Sequence, residues 1–369
     1  MKSLKLLIVD DDDSQIQLLQ DQIKEKNKDL QKDHIEIVTE VCKNKDDAIL
    51  KVSNQNYNAA VIDLKLSSDK TKTDGNDVIK EIRNKMRFPI IVLSNFPQNL
   101  DQELSMETDV FKIKERTSTK SSDIIDEIVE FYYSGIDELF GKDGKLLEQI
   151  NSSLHELFWE RIANNWEYLV QKITDPMIRL KVIEKQLIII LKEKMEIGDL
   201  GFDKSEPFEM YIIPPIRKHY YTGDIILKDD THFIILSPAC DMEIRKGDKP
   251  EIENVVIGKL SQIKDHSYTK SCWKDGSFQD SKEGLVENLI RSKKGDYHLL
   301  PPFRDKMGFI LDFSNVSSVP YNNLVNYKRI ATVTEPYLKN IISRFSNYFN
   351  RLGQPDFDNV KLMQEIKAL

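Results

Sequence analysis

Lys5-Leu6-Leu7-Ile8-Val9 runs without a break into Asp10-Asp11-Asp12-Asp13. A short apolar run that stops in carboxylates is the pattern of a buried parallel strand delivering acids to the carboxyl edge of a sheet, where open α/β folds keep their ligands. Outward from it, Ile16, Leu18, Leu19 and Ile23 recur at helical spacing, with Ser14 near the start as a cap. Ile35 to Val41 alternates as a strand, Asp46 to Val52 reads as a helix, and Ala59-Ala60-Val61-Ile62-Asp63 is a second buried strand ending in an acid. Gly75 to Arg83 continues as a helix, Phe88 to Ser94 as an apolar strand finishing in a hydroxyl, and Val110 to Lys114 as the last strand. Ile124, Ile125, Ile128, Val129, Tyr132 and Tyr133 line one face of a closing helix. This alternation predicts an α/β architecture, a doubly wound parallel five-stranded sheet covered on both sides.

The acids fall at particular places in that order. Asp10 and Asp11 end the first strand, Asp63 ends the third, Ser94 follows the fourth, and Phe111 and Lys114 lie in the fifth. On these residues the first third of the chain resembles the flavodoxin-like receiver domain of bacterial two-component response regulators. The resemblance implies that Asp63 accepts a phosphoryl group from a histidine kinase or phosphotransfer protein. It also implies a Mg2+ ion held by Asp10, Asp11, Asp63 and a backbone carbonyl at Lys65, with Lys114 pairing the phosphoryl oxygens. Ser94 would turn its hydroxyl to the phosphate, and Phe111 would change rotamer and pass the change to the fourth helix and fifth strand. The chain departs from the family pattern at Glu115, where a proline is usual. Lys112 is an alternative lysine, and the distance from Ser94 favours Lys114. The residue types suit the chemistry: a carboxylate is a modest nucleophile, so catalysis is mainly positioning and neutralisation of charge. A hard divalent ion with oxygen ligands offsets the repulsion between the acids and an incoming phosphate.

Composition narrows the remaining possibilities. With 369 residues and 40% apolar content, the chain has room for two or three ordinary domains. A formal net charge of -8 argues against a protein whose whole surface is basic, so nucleic acid is not the expected partner. Cys42, Cys240 and Cys272 are too few and scattered for a disulfide framework, which fits a reducing cytoplasm. Met1-Lys2-Ser3 leads straight into strand-like sequence, and no apolar run approaches the ~20 residues of a membrane span, so a soluble cytoplasmic protein is expected.

Three parts follow from the pattern: a receiver domain over 1–130, a helical connector over 131–200, and a β-rich output domain with a C-terminal helix over 201–369. In the connector, Leu139, Leu146, Leu147, Ile150, Leu154, Leu157 and Phe158 form a helical stripe, with Trp159 and Trp166 on one face. Such a stripe packs on its own domain or pairs with a second copy as a homodimer. His155 reads as an exposed helix histidine, and Leu187 to Leu191 as a buried stretch of helix.

Gly201, Pro207, Pro214 and Pro215 mark the boundary beyond. Gly223 to Leu227 and His232 to Leu236 predict a hairpin through Lys228-Asp229-Asp230-Thr231. Val255 to Leu260 and Phe309 to Phe313 are further strands, the set suggesting a small, SH3-like barrel. Cys240 and Asp241 after a strand are the candidate output site, a receiver-regulated hydrolase or nuclease if His219, His266 or His298 activates the thiol. The opposing reading is a turn in a non-catalytic interaction module. Cys240, Cys272, His266 and His298 match no standard zinc spacing. Ile341, Ile342, Phe345, Tyr348 and Phe349 give the last helix an apolar face, with Lys339, Arg344 and Arg351 as a solvated basic edge. No helix-turn-helix with a basic recognition helix is evident.

Overall fold

The protein is described here by a computed structural model covering residues 2–66, 74–197, 204–245, 247, 249–302, 308–350 and 358–368, with side chains given to residue 194 in the helix that ends at 197. The chain divides into two compact units, residues 1–199 and 200–369. The expected start of the linker, residues 198–203, lies outside the described residues.

In the first unit β1 (Lys2–Val9), β2 (Ile35–Cys42), β3 (Ala59–Ile62), β4 (Ile90–Ser94) and β5 (Phe111–Glu115) form one sheet in the order β2-β1-β3-β4-β5. All four pairings are parallel, and the order is that of flavodoxin-like folds. The helices are α1 (Asp13–Leu30), α2 (Lys45–Asn54), α3 (Asp74–Lys85) and α4 (Ser121–Tyr133). Alternation along the strands sorts the core into two layers. Leu6, Ile8, Val61, Ile91 and Leu93 pack with α1 and α4, whereas Leu7, Val9, Ala60, Ile62 and Val92 pack with α2 and α3. Both faces are therefore apolar, and each fully buried Leu or Ile contributes about 1.5–3 kcal/mol.

The segment between β4 and β5 departs from the family pattern. It forms two short 3-10 turns, Pro97–Asn99 and Gln102–Leu104, and no α-helix. The fourth helix through which Phe111 was expected to act is thus missing from its place. Leu100 and Leu104 fill the space against the sheet instead.

Beyond α4 the chain continues through α5 (Ile136–Phe140), α6 (Lys145–Glu156), α7 (Trp166–Lys172) and α8 (Pro176–Ile197), still within the first unit. A single π-helical stretch, Leu157–Ile162, follows α6. Leu157, Ile162 and Ile190 form a small core with Leu169, Ile183 and Leu187. The expected burial of the whole Leu187–Leu191 run holds only for its inner face, because Ile188 and Ile189 are exposed. Phe158, Trp159 and Trp166 are exposed as well. Among the described residues no helix is long and apolar enough to cross a membrane.

The second unit is built on a seven-stranded antiparallel sheet: β6 (Tyr211–Ile212), β7 (Asp224–Lys228), β8 (Thr231–Ile235), β9 (Asn254–Gln262), then β12 (Tyr297–Leu300), β13 (Phe309–Pro320) and β14 (Lys328–Val333), with β10 (Trp273–Lys274) and β11 (Ser277–Phe278) as a separate ribbon. The order β12-β13-β9-β8-β7-β14-β6 leaves β12 and β6 at opposite edges, so the small barrel of the sequence reading takes the form of a curled half-barrel. The predicted hairpin is present, and Asp229 and Asp230 both take positive φ, as a tight two-residue turn of type I′ requires.

The helices of this unit are α9 (Ala239–Met242), α10 (Glu283–Ile290), α11 (Glu335–Phe349) and α12 (Asn359–Lys367). Ile341 of α11 packs with Phe313, Leu311 and Val333 on one face of the sheet, and Ile226, Ile235, Ile257 and Leu324 fill the other. Asp224, fully buried on β7, is held by Arg329 at 2.9 Å, the hydroxyl of Thr332 at 2.5 Å and the amide of Tyr221 at 2.8 Å. Arg344 is not part of a solvated basic edge. Its guanidinium donates to the carbonyls of Lys294 and Tyr297, each at 2.7 Å, and lies 3.1 Å from Nδ1 of the buried His298.

A guanidinium can only donate, so His298 Nδ1 accepts and the imidazole is neutral. Burial, then the adjacent Arg344, push its pKa down from 6.5 to about 3. Between those two values the unfolded chain takes up a proton that the folded chain refuses, so stability falls as pH drops through that window. Urea unfolding of the protein at pH 7 and pH 4, compared with His298→Gln, is expected to show the wild type losing more on acidification, by about 1.4 kcal/mol per pH unit. Parallel losses in the two proteins would reject the assignment.

Candidate functional site

Asp10 lies one residue beyond β1 and Asp63 one residue beyond β3, two adjacent parallel strands. In this strand order the reversal of winding falls between them, opening the crevice where such folds bind ligands. The backbone holds the two acids in register: the Asp63 amide donates to Val9 O at 2.8 Å and the Asp10 amide to Cys42 O at 3.0 Å. One carboxylate oxygen from each of Asp10, Asp11 and Asp63 lies within 4.8 Å of the others, and among the described residues this is the only metal-competent group of three or more His, Cys, Asp or Glu. Cys240, Cys272, His266 and His298 do not converge.

The four consecutive acids divide their work. Asp10 is buried, its Oδ1 accepting from the amide of Asp12 at 2.9 Å. Asp11 is exposed. Asp12, not Ser14, caps α1, accepting from the amides of Ser14 and Gln15, and Asp13 pairs with Lys43. Burial raises the pKa of Asp10 above the ordinary carboxylate value, opposed chiefly by Arg116. Asp11 is raised too, by desolvation and then by the charges of Asp10 and Asp12. Both shifts describe a site that wants positive charge.

The positive charge found beside the acids comes from neither expected lysine. Lys114 Nζ pairs with Glu127 of α4 at 3.2 Å, and neither Lys114 nor Lys112 forms an ion pair with the three acids. Arg116 is the cation at the site. Its Nη2 stands 2.7 Å from Asp10 Oδ2 and 3.4 Å from Asp63 Oδ2, with the side chain 10% exposed. It also donates to Leu93 O at 2.9 Å, while its amide donates to Ser94 O at 3.0 Å. The reason is register. Side chains on one face of a strand advance ~6.6 Å every two residues, so Lys114 stops beside α4 and only the residue after β5 reaches the rim. Arg116 follows β5 by the same single step by which Asp10 follows β1 and Asp63 follows β3. The sequence reading ended β5 at Lys114, one residue short of its actual end at Glu115, so that offset was hidden.

Asp63 Oδ1 accepts from the amide of Leu64 at 2.7 Å, leaving Oδ2 towards Arg116. Ser94 ends β4, two residues beyond Val92, which pairs with Ile62. It is buried, and its Oγ accepts from the Phe96 amide at 3.4 Å. Lys65 directs its Nζ over the Phe96 ring, 3.9 Å from the centroid. Phe111 is buried among Leu100, Leu104 and Val92, with Arg83 5.4 Å from its ring centroid.

In the second unit Cys240 and Asp241 are both exposed on the short α9, and the Cys240 thiol lies 3.4 Å from the Asp241 carboxylate. The three histidines are engaged elsewhere: His298 with Arg344, His266 accepting from the Tyr268 amide at 3.2 Å, and His219 edge-on to Tyr221. Cys42 and Cys272 are buried, and burial raises both thiols, Cys42 to about 12.

No protein-family model and no curated protein matches the chain. Solved structures do. The chain is similar to the receiver domain of the Francisella response regulator 1452 at 22% identity, over 35% of this chain and 97% of that one, with a TM-score of 0.27. A two-component response regulator from Clostridium difficile is 21% identical over 35% and 95% of the two chains, with a TM-score of 0.27. The receiver domain of a sensor histidine kinase from Pseudomonas aeruginosa, described with a magnesium ion in its active-site cleft, is 17% identical over 35% and 97%, with a TM-score of 0.28. The N-terminal third of the chain has, by its own strand order, the flavodoxin-like parallel five-stranded fold.

Gly75 shows how tightly the end of β3 is held. A Cβ there would lie 2.2 Å from Asp63 O and 2.7 Å from Leu64 Cα, both backbone atoms that cannot swing away. The Gly75→Ala variant is therefore expected to unfold at lower urea, by about 1–3 kcal/mol with an unchanged slope. An unchanged midpoint would show that the approach is not tight.

Proposed function

We propose that this chain is a cytoplasmic response regulator, in which Asp63 accepts a phosphoryl group from a histidine kinase or phosphotransfer protein in a Mg2+-dependent reaction, and the state of that site switches the C-terminal unit. The observation that supports this reading most is the meeting of three carboxylates and a buried guanidinium at the β1/β3 crevice.

The donor set suits the ion. Three carboxylate oxygens within 4.8 Å of one another, with no nitrogen or sulfur among them, match a hard divalent cation such as Mg2+. Asp10, Asp11 and Asp63 would hold it, with the backbone carbonyl of Lys65 as a further ligand, the carbonyl of Leu64 already accepting from the Gly75 amide at 3.1 Å. When bound, Mg2+ neutralises charge between the acids and the phosphoryl oxygens. Asp63 Oδ2 attacks phosphorus, and the bond from phosphorus to the donor's imidazole nitrogen breaks with its electron pair left on that nitrogen. The amide of Leu64 fixes the carboxylate through Oδ1. Ser94, buried at the end of β4, would turn its hydroxyl towards the phosphoryl group.

Phe111 would then respond with Leu100 and Leu104, its neighbours in the core, in place of an absent helix. Exposed Phe158, Trp159 and Trp166 offer the connector an apolar surface for a second copy.

The test is incubation of the purified chain with acetyl phosphate and Mg2+, read by intact mass and by sedimentation before and after. One phosphoryl group per chain is expected on the wild type and none on Asp63→Ala. Mg2+ at about 100 times its Kd should add about 2.7 kcal/mol to the stability of the wild type and less to Asp11→Asn. Equal incorporation in Asp63→Ala would remove it as the acceptor.

A further inference from the structure

Arg116 is nine-tenths buried, yet only one of its three nitrogens is used. Nη2 takes Asp10 and the carbonyl of Leu93, while Nε and Nη1 have no hydrogen-bond partner and no access to solvent. Buried donors of a permanent cation are normally satisfied, so an unpaired pair beside an acid cluster points to a missing anion. Nη2 is 3.4 Å from Asp63 Oδ2, the oxygen on which a phosphoryl group would be carried.

We infer that Arg116 is the phosphoryl-binding residue of this site, its unpaired Nη1 and, once released from Asp10, its Nη2 gripping two oxygens of the group on Asp63 in the place where the resemblance implied a lysine. This rests on the phosphoacceptor reading above. A guanidinium presents its donors as a rigid planar fork that matches two phosphoryl oxygens at once, which an ammonium cannot do.

Before phosphorylation the same guanidinium sits against Asp10, one of the acids that would hold the cation. Arg116 therefore competes with the divalent ion for Asp10, and metal entry frees its Nη2. The arginine consequently has opposite effects on the two ligands: it weakens the cation and strengthens the phosphoryl group. A purely structural arginine would weaken both when removed.

The experiment uses the full chain as wild type, Arg116→Lys, Arg116→Gln and Asp63→Ala, each checked for fold by circular dichroism. Mg2+ affinity is measured by calorimetry with no phosphodonor present, and beryllofluoride, a non-transferable phosphoryl mimic, is then titrated in saturating Mg2+. Transfer from acetyl phosphate is followed as well. In that step the bond from phosphorus to the acetyl oxygen breaks, acetate leaves with the electron pair, and the new bond forms to Asp63.

Arg116→Gln is expected to bind Mg2+ several-fold more tightly, while losing beryllofluoride affinity and transfer rate about 100-fold. Arg116→Lys is expected to recover part of both losses. Wild-type beryllofluoride binding in a folded Arg116→Gln would overturn the inference, as would Mg2+ binding weakened in step with it. Should Arg116→Gln fail to fold, Arg116→Lys decides alone, since an unchanged phosphoryl lifetime and beryllofluoride affinity there would also overturn it. Incorporation into Asp63→Ala equal to the wild type would instead defeat the acceptor assignment, a result independent of how Arg116 variants bind Mg2+.

Discussion

Three negative side chains converge on a crevice where one of them, Asp10, is buried, and a single guanidinium holds that arrangement together. Asp10 is brought there because β1 must run as a buried central strand, and the first residue past its end has nowhere else to go. Desolvation makes the bare carboxylate costly. Arg116 answers part of that cost from the end of β5, across the sheet, and so ties the two strands that flank the site to the strand beyond. Its pairing is incomplete on both sides: the acids have more charge than one cation can balance, and the cation has donors that no acid reaches. A site left unfinished in both senses is what the proposed cation and phosphoryl group would complete.

The surroundings of this site are fixed by close packing. Gly75 lets α3 start against the backbone of Asp63, and Asp12 spends its carboxylate on capping α1, leaving Asp10 and Asp11 for the crevice. The connection from β4 to β5 is shortened to two 3-10 turns, with Leu100 and Leu104 taking the place of a helix against the sheet. Phe111 therefore sits in a compact apolar cluster of its own domain. Any change transmitted by it reaches those two leucines first.

The second unit follows a different logic. An antiparallel sheet carries apolar side chains on both faces, covered on one of them by α11, and two buried polar clusters cross it. Asp224 with Arg329 and Thr332, and His298 with Arg344, pin strands and helix together within the unit. Cys240 lies outside this framework, exposed on a one-turn helix beside a carboxylate.

The receiver-type sheet was legible in the sequence because its signals are local. Apolar runs such as Lys5 to Val9 and Ala59 to Ile62 end in acids, and the intervening segments carry helical periodicity. The strands β12 and β14 were not, since neither stretch was assigned as a strand in the sequence reading and each is set only by pairing with partners distant in the chain. The acids of the site could be assigned from strand ends alone, but its cation could not: Lys112, Lys114 and Arg116 recur at every second residue along β5 and just past it, and only the end of β5 decides which of them reaches the rim. Sequence by itself determined which chemical groups stand at the edge of the sheet, because burial patterns are written residue by residue. Tertiary structure decided which groups touch, because a step of two residues along a strand moves a charge by more than the length of an ion pair.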